Sequence, residues 1–242
     1  MESTPIVLVP GYWLGAWAWD EVVAALRADG HDVTAVTLPG LESADADRSG
    51  LTSSDHVDAI CSAVESAGAS VGASVVLAVH SGAGVPGYAV TDRIPERIAA
   101  AVYVDTAPGI GSSDPSDDAV ELPFPGWEQL SADGENLDGL TDDVKEMVAG
   151  RAVPQPSGPT RAGDPLTNDA RLDVPSTVIC TSFTSEQFQE AAKEGYAWMA
   201  GLPELRDVTY VDLPTSHWPM WSRPGDLAAI IGDVAKRHAP SA

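Results

Sequence analysis

Short runs of apolar, β-branched residues alternate with segments of helical period along most of this chain. Residues 6–9 (IVLV) are consecutively apolar, the pattern of a strand buried on both faces. Residues 20–28 set Val22, Val23 and Leu26 on one side of a helix, and Gly30 supplies its stop. Residues 32–38 (DVTAVTL) predict a second strand, ended by Pro39-Gly40, and the acidic stretch 41–50 reads as a surface loop. Thr52 or Ser53 caps a helix in which Val57, Ile60, Cys61 and Val64 recur at helical spacing, with Gly68 closing it. Residues 74–79 (SVVLAV) predict a third strand, followed by a helix to about Thr91 and a strand over 99–104.

The rhythm then breaks. From Thr106 to about Asp173, Pro, Gly and Asp are frequent, and the only helix-like pieces are 127–130 and 141–149. Pro154, Pro156 and Pro159 argue against regular structure around them. Alternation resumes with a strand over 176–180, a helix over 185–199, a strand over 208–213 and a last helix over 225–236. The pattern predicts one α/β domain over residues 1–242: a mostly parallel open sheet with helices on both faces, interrupted by a small cap insertion at about 106–173.

Composition adjusts this picture in few places. Thirteen basic against 36 acidic residues give a formal charge of −23, which repels nucleic acid and anionic membrane. The plain reading is a well-solvated acidic protein, and a salt-rich habitat is the alternative. No apolar run approaches the roughly 20 residues of a membrane span, and the first residues look unlike a signal peptide, so a cytoplasmic location is expected. Cys61 and Cys180 read as small buried hydrophobes. The five histidines show no metal-ligand spacing, so no metal is expected. Oligomeric state is not legible.

The chemistry gathers at the predicted strand ends. Ser81 directly follows a buried strand and is followed by Gly82, Ala83 and Gly84, the small neighbours that a sharp strand-to-helix turn needs around an exposed nucleophile. A serine capping an ordinary helix is the competing reading. His217 lies in the loop after the last strand, and a parallel sheet carries that loop to the same edge as Ser81. Neutral imidazole suits the role of general base; a loop histidine packed on Trp218 is the alternative. His80 is the weaker base candidate, since successive side chains at a strand end point to opposite faces. An oxyanion hole would use the backbone N–H groups of Gly82 and of Tyr12, in the loop after the first strand. Trp13, Trp17 and Trp19 read as core filling.

VLVPGYWLGAWAW, LPGL, VVLAVHSGAG, AAAVYVDTAPG and LPTSHWPMWSRPGDLA, in that order, resemble the α/β-hydrolase superfamily over nearly the whole chain. The branch it is most similar to is that of small esterases related to plant methylesterases and hydroxynitrile lyases. Pro10 replaces a histidine of that branch, and Val79 and Ala83 depart from its G-H-S-x-G-G elbow. The resemblance implies a Ser-His-acid triad and no cofactor. It usually places the acid a few residues after the strand 176–180, where this chain has Thr181-Ser182-Phe183. Some members carry it at the end of the strand after the nucleophile helix, which here is Asp105. Asp105 is the first choice, Glu186 the alternative acid, and a site without an acid the third reading.

A serine hydrolase cleaving small carboxylic esters or lactones through an acyl-enzyme is therefore expected, with a small-molecule substrate as its partner. A non-catalytic ligand-binding member of the fold, motivated by Pro10, Val79 and the lack of an Asp after the strand 176–180, is one rival. A hydroxynitrile-lyase-like enzyme is the other, weakened because Lys145, Lys193 and Lys236 all fall in the insertion or in helices.

Overall fold

The computed structural model describes residues 4–69, 74–111 and 119–239. Their elements run β1 (Ile6–Val9), α1 (Asp20–Ala28), β2 (Val33–Ala35), α2 (Ser53–Ala69), β3 (Val75–His80), α3 (Gly84–Arg93) and β4 (Ile98–Val104). Then come β5 (Glu121–Leu122), α4 (Trp127–Ala132), α5 (Asp142–Arg151) and β6 (Gln155–Pro156). The chain closes with β7 (Ser176–Cys180), α6 (Ser185–Ala192), β8 (Val208–Asp212), α7 (Pro219–Ser222) and α8 (Pro224–Arg237).

Six strands form one parallel sheet in the order β2-β1-β3-β4-β7-β8. Strand side chains alternate between faces, and both faces are covered here. Ile6, Leu8, Val76 and Ala78 pack with Val22 and Leu26 of α1 and Leu227 and Ile231 of α8. Val7, Val9, Leu77 and Val79 pack with Val57 and Ile60 of α2, Val90 of α3 and Phe188 of α6. This double burial is why β1 and β3 read as unbroken apolar runs. No helix among the described residues is long and apolar enough to cross a membrane.

Four expectations are corrected. The second strand is only Val33–Ala35: the Val36 N–H still donates to the Leu8 carbonyl at 2.9 Å, and beyond it Pro39 has no N–H to offer a ladder. The helix expected over 185–199 stops at Ala192, where Gly195 takes φ 79°. The loop over 41–50 is not simply surface. Arg48 is buried, and its guanidinium donates to the carbonyls of Ser43, Ala44, Ala46 and Pro154 and to Glu121. A charge-assisted hub of this kind stabilises an irregular loop in place of a ladder. Fourth, the prolines tolerate a short antiparallel pair, Glu121–Leu122 with Gln155–Pro156.

Between β4 and β7 the described residues fold over the C-terminal edge of the sheet. Trp13 and Trp17, expected as core filling, are only partly buried and anchor this segment. Trp13 Nε1 donates to the Leu122 carbonyl at 3.0 Å, and Arg151 lies 4.3 Å over the Trp17 ring. Trp19 alone of the three is fully buried.

Candidate active site

Three non-glycine residues among those described have positive φ: Trp13 (66°), Ser81 (51°) and Asp105 (46°). Each follows a strand of the sheet by no more than a few residues, and backbone held in this sparsely populated region concentrates at functional sites. At Ser81 the chain passes from β3 into a short 3-10 turn and then α3. Small residues make the turn possible. A Cβ on Gly82 would overlap the Tyr12 ring, and one on Gly84 would stand 2.5 Å from the Ala107 carbonyl oxygen. Val79, where the related esterases carry glycine, is accommodated from the other side. A Cβ on Gly87, one turn into α3, would approach Val79 Cγ1 to 2.6 Å, so a glycine there leaves the valine its space.

The β8–α7 loop brings His217 to Ser81, with 2.9 Å between His217 Nε2 and Ser81 Oγ. On its other side His217 Nδ1 lies 2.7 Å from Asp105 Oδ2. Burial by itself would raise the Asp105 carboxyl. The hydrogen bond and charge of His217, with donors from Ser182, outweigh that and hold it well below the usual carboxylate range. An ionised carboxylate only accepts, so Nδ1 carries the proton and Nε2 presents its lone pair to the Ser81 hydroxyl. Burial would lower the imidazole, but the Asp105 hydrogen bond and charge, and the charge of Glu135, leave it raised above an ordinary histidine.

The loop Thr181-Ser182-Phe183 supplies no acid. It serves the acid that is present: the Thr181 and Ser182 N–H groups each donate to Asp105 Oδ1 at 2.9 Å, and the Ser182 hydroxyl donates to Oδ2 at 2.6 Å. Glu186 sits exposed in the first turn of α6 and is not brought to His217. His80 is fully buried, and its Nε2 donates to the His217 carbonyl at 2.7 Å. Its ring centre lies 4.9 Å from that of His217, closer than strand alternation suggests, but burial depresses its basicity and the bonded nitrogen is committed to a carbonyl.

Tyr12 and Gly82 are in contact through the tyrosine ring, and the Tyr12 N–H has no partner among the described residues. The next amide along, that of Trp13, points instead at Gln155 Oε1, 3.4 Å away. Burial pushes the Tyr12 phenol up to about 12, so it stays neutral. Beside the elbow, Gly11, Tyr12, Gly82, Pro86 and Gln155 enclose only about 10 Å³. A cavity of about 560 Å³ lies on the far side of Pro86, among Val57, Tyr88, Leu166 and Arg171, and Ser81 is not part of its wall. Its size does not outweigh the geometry at Ser81, because its buried cation, Arg171, is already bonded to Tyr88, Asn168 and Glu204.

Sequence reasoning missed several contributors: Ser182, the role of His80, and Glu135 and Asn136 of the inserted segment. The Asn136 carbonyl accepts from the His217 N–H at 2.8 Å, and Glu135 Oε2 stands 3.7 Å from His217 Nδ1. Only the position of Ser182 in the loop where relatives carry an acid offered a signal.

The pattern describing the Alpha/beta hydrolase family matches residues 6–230. Esterase PIR7B of Oryza sativa subsp. japonica is 40% identical over 103 residues, which is 42% of this chain and 38% of that protein. Methylesterase 7 of Arabidopsis thaliana is 36% identical over 104 residues, covering 40% of this chain and 38% of that one. The matched stretch is thus well under half of either relative. Among solved structures, an extracellular alpha/beta-hydrolase from a Paenibacillus species superposes with a TM-score of 0.73 at 18% identity, over 96% of this chain and 99% of that one. That likeness speaks for the fold alone.

Proposed function

The chain belongs to the alpha/beta hydrolase family, and from that premise we propose that it hydrolyses small carboxylic esters or lactones through an acyl-enzyme. One observation carries the proposal: an unbroken hydrogen-bond chain from the Ser81 hydroxyl through His217 to Asp105. In this reading His217 Nε2 takes the Ser81 proton as Oγ attacks the ester carbonyl, and Asp105 stabilises the imidazolium that results. The N–H groups of Tyr12 and Gly82 hold the developing oxyanion. His217 then protonates the leaving alcohol, and later takes a proton from the water that releases the acid. The names of the esterase relatives support this reaction class. In this reading the described residues between β4 and β7 act as a cap over the site, tied to it where the Asn136 carbonyl accepts from the His217 N–H.

In this reading Gly87 leaves Val79 its space and Asp105 takes the role of the acid, which counts against a non-catalytic member. No lysine among the described residues contacts Ser81 or His217, which disfavours the lyase. The proposal includes a cytoplasmic setting, supported by the free buried thiols of Cys61 and Cys180. Ser81→Ala should lower p-nitrophenyl acetate turnover by roughly 10⁴-fold or more, with circular dichroism unchanged. Undiminished turnover by that variant would remove Ser81 from the mechanism.

A further inference from the structure

We infer that Glu135 is a second carboxylate partner of His217, a positioning residue that the inserted segment delivers to the same Nδ1 edge of the imidazole that the sheet-borne Asp105 bonds. The kinetic part of this inference rests on the ester-hydrolase reading; the electrostatic part does not.

The delivery begins with the end of α4. Gly134 takes φ 96°, its N–H donates to the Ser131 carbonyl at 3.2 Å, and the Glu135 N–H donates to Leu130 at 3.0 Å. This pair of bonds is the Schellman closure, which fixes where the residue after the glycine emerges. The chain is then clasped to the histidine loop. The Asn136 carbonyl accepts from the His217 N–H at 2.8 Å, and Asn136 Nδ2 donates to the Thr215 carbonyl at 2.9 Å. Asn136 Oδ1 accepts from the Asp138 N–H at 2.8 Å, holding the turn itself. Trp127 of α4 meets Trp218 edge to face at 5.0 Å, so the helix that carries this turn is docked beside the histidine. Glu135 Oε2 consequently stands 3.7 Å from His217 Nδ1, too long for a hydrogen bond but close enough for a charge to act.

The other groups facing the imidazole are few. Asp105 comes from the end of β4, His80 from the end of β3, and the neutral Thr181 and Ser182 from the loop after β7. Asp105 is ionised and His80 neutral near pH 7, for the reasons given above. Glu135 is therefore the charged neighbour whose removal leaves the triad contacts intact. Its negative charge favours imidazolium over imidazole, which makes His217 the stronger base toward Ser81 and moves the acid limb of activity upward in pH. Its side chain is 38% exposed, so the effect is modest.

The test compares the full-length protein with Glu135→Gln, using Glu128→Gln in α4 as a charge control. The titration midpoint of the His217 ring, followed by NMR of labelled histidine, should fall in Glu135→Gln and stay in place in Glu128→Gln. For p-nitrophenyl acetate, plateau kcat should fall about 2- to 5-fold with KM little changed, and the acid limb should move to lower pH. In an Asp105→Asn background the same substitution should cost more than in the parent, because Glu135 is then the remaining carboxylate at the imidazole. A His217 midpoint unmoved by Glu135→Gln overturns the inference, whatever the kinetics show. Should the midpoint fall while Ser81→Ala retains full ester turnover, the second carboxylate stands and the hydrolase reading fails.

Discussion

The ends of β3, β4 and β8 and the inserted segment over 106–173 meet at one imidazole, but they hold it differently. The strand ends contribute side chains in a fixed line, with Ser81, His217 and Asp105 at successive separations of 2.9 and 2.7 Å. The insertion contributes mostly backbone and exposed charge: the Asn136 carbonyl, the Asn136 amide on Thr215, and Glu135 at 3.7 Å. A scaffold whose strands are buried on both faces fixes positions to within a fraction of an ångström, since interiors are close-packed. A segment stitched together by single bonds adjusts what the scaffold has placed. On the proposed function, the chemistry falls to the sheet and its tuning to the insertion.

Substitutions on the two sides should differ in scale accordingly. On the sheet side, Asp105→Asn leaves the Ser182 and Thr181 donors facing a neutral group and removes the charge that stabilises imidazolium. It should lower kcat/KM by roughly 10³-fold or more. The pH profile should change too. In the parent, His217 is raised above an ordinary histidine, so kcat/KM climbs with pH through that elevated midpoint as the base loses its proton. Asp105→Asn removes the largest contribution to the elevation, and the limb should move to lower pH. A pH–rate series on the two proteins checks both statements, and equal profiles would erase the distinction between the regions. On the insertion side, Asn136→Ala removes the donor to Thr215 while keeping the carbonyl that holds His217. It should cost less than about 10-fold in kcat and about 1 kcal/mol in a urea denaturation midpoint. A loss as large as that of Asp105→Asn would make the insertion part of the scaffold.

The same division governs what the sequence revealed. β1, β3 and β4 were legible because double burial demands uninterrupted apolar runs, and Ser81 because only a strand followed by small residues can make so tight a turn. The edge strand β2 was overestimated, since apolar and β-branched residues continue to Leu38 while the pairing with β1 ends at Ala35. The acid was legible only as a choice among Asp105, Glu186 and a site without an acid. Settling it needs the geometry of the Thr181-Ser182 loop, whose three donors converge on Asp105. Within the insertion almost nothing functional could be read. Glu135 and Asn136 reach His217 through a glycine-closed helix end and a tryptophan pair, contacts between residues remote in the chain. Trp13 and Trp17 pack against the core, as an aromatic next to a strand suggests, but their second role as anchors of the insertion could not be read.

The central claim is that Ser81 becomes covalently acylated, and pre-steady-state mixing with p-nitrophenyl acetate tests it most directly. The account predicts a burst of p-nitrophenol approaching one equivalent per chain, with one acetyl group found on the Ser81 peptide after acid quench. Where acylation limits turnover no acetyl accumulates, and the shared intermediate is read instead from added methanol, which should divide the acetyl group between acetate and methyl acetate in one ratio for p-nitrophenyl and phenyl acetate. Turnover with no acetyl on the Ser81 peptide and a ratio that changes with the leaving group would contradict the account.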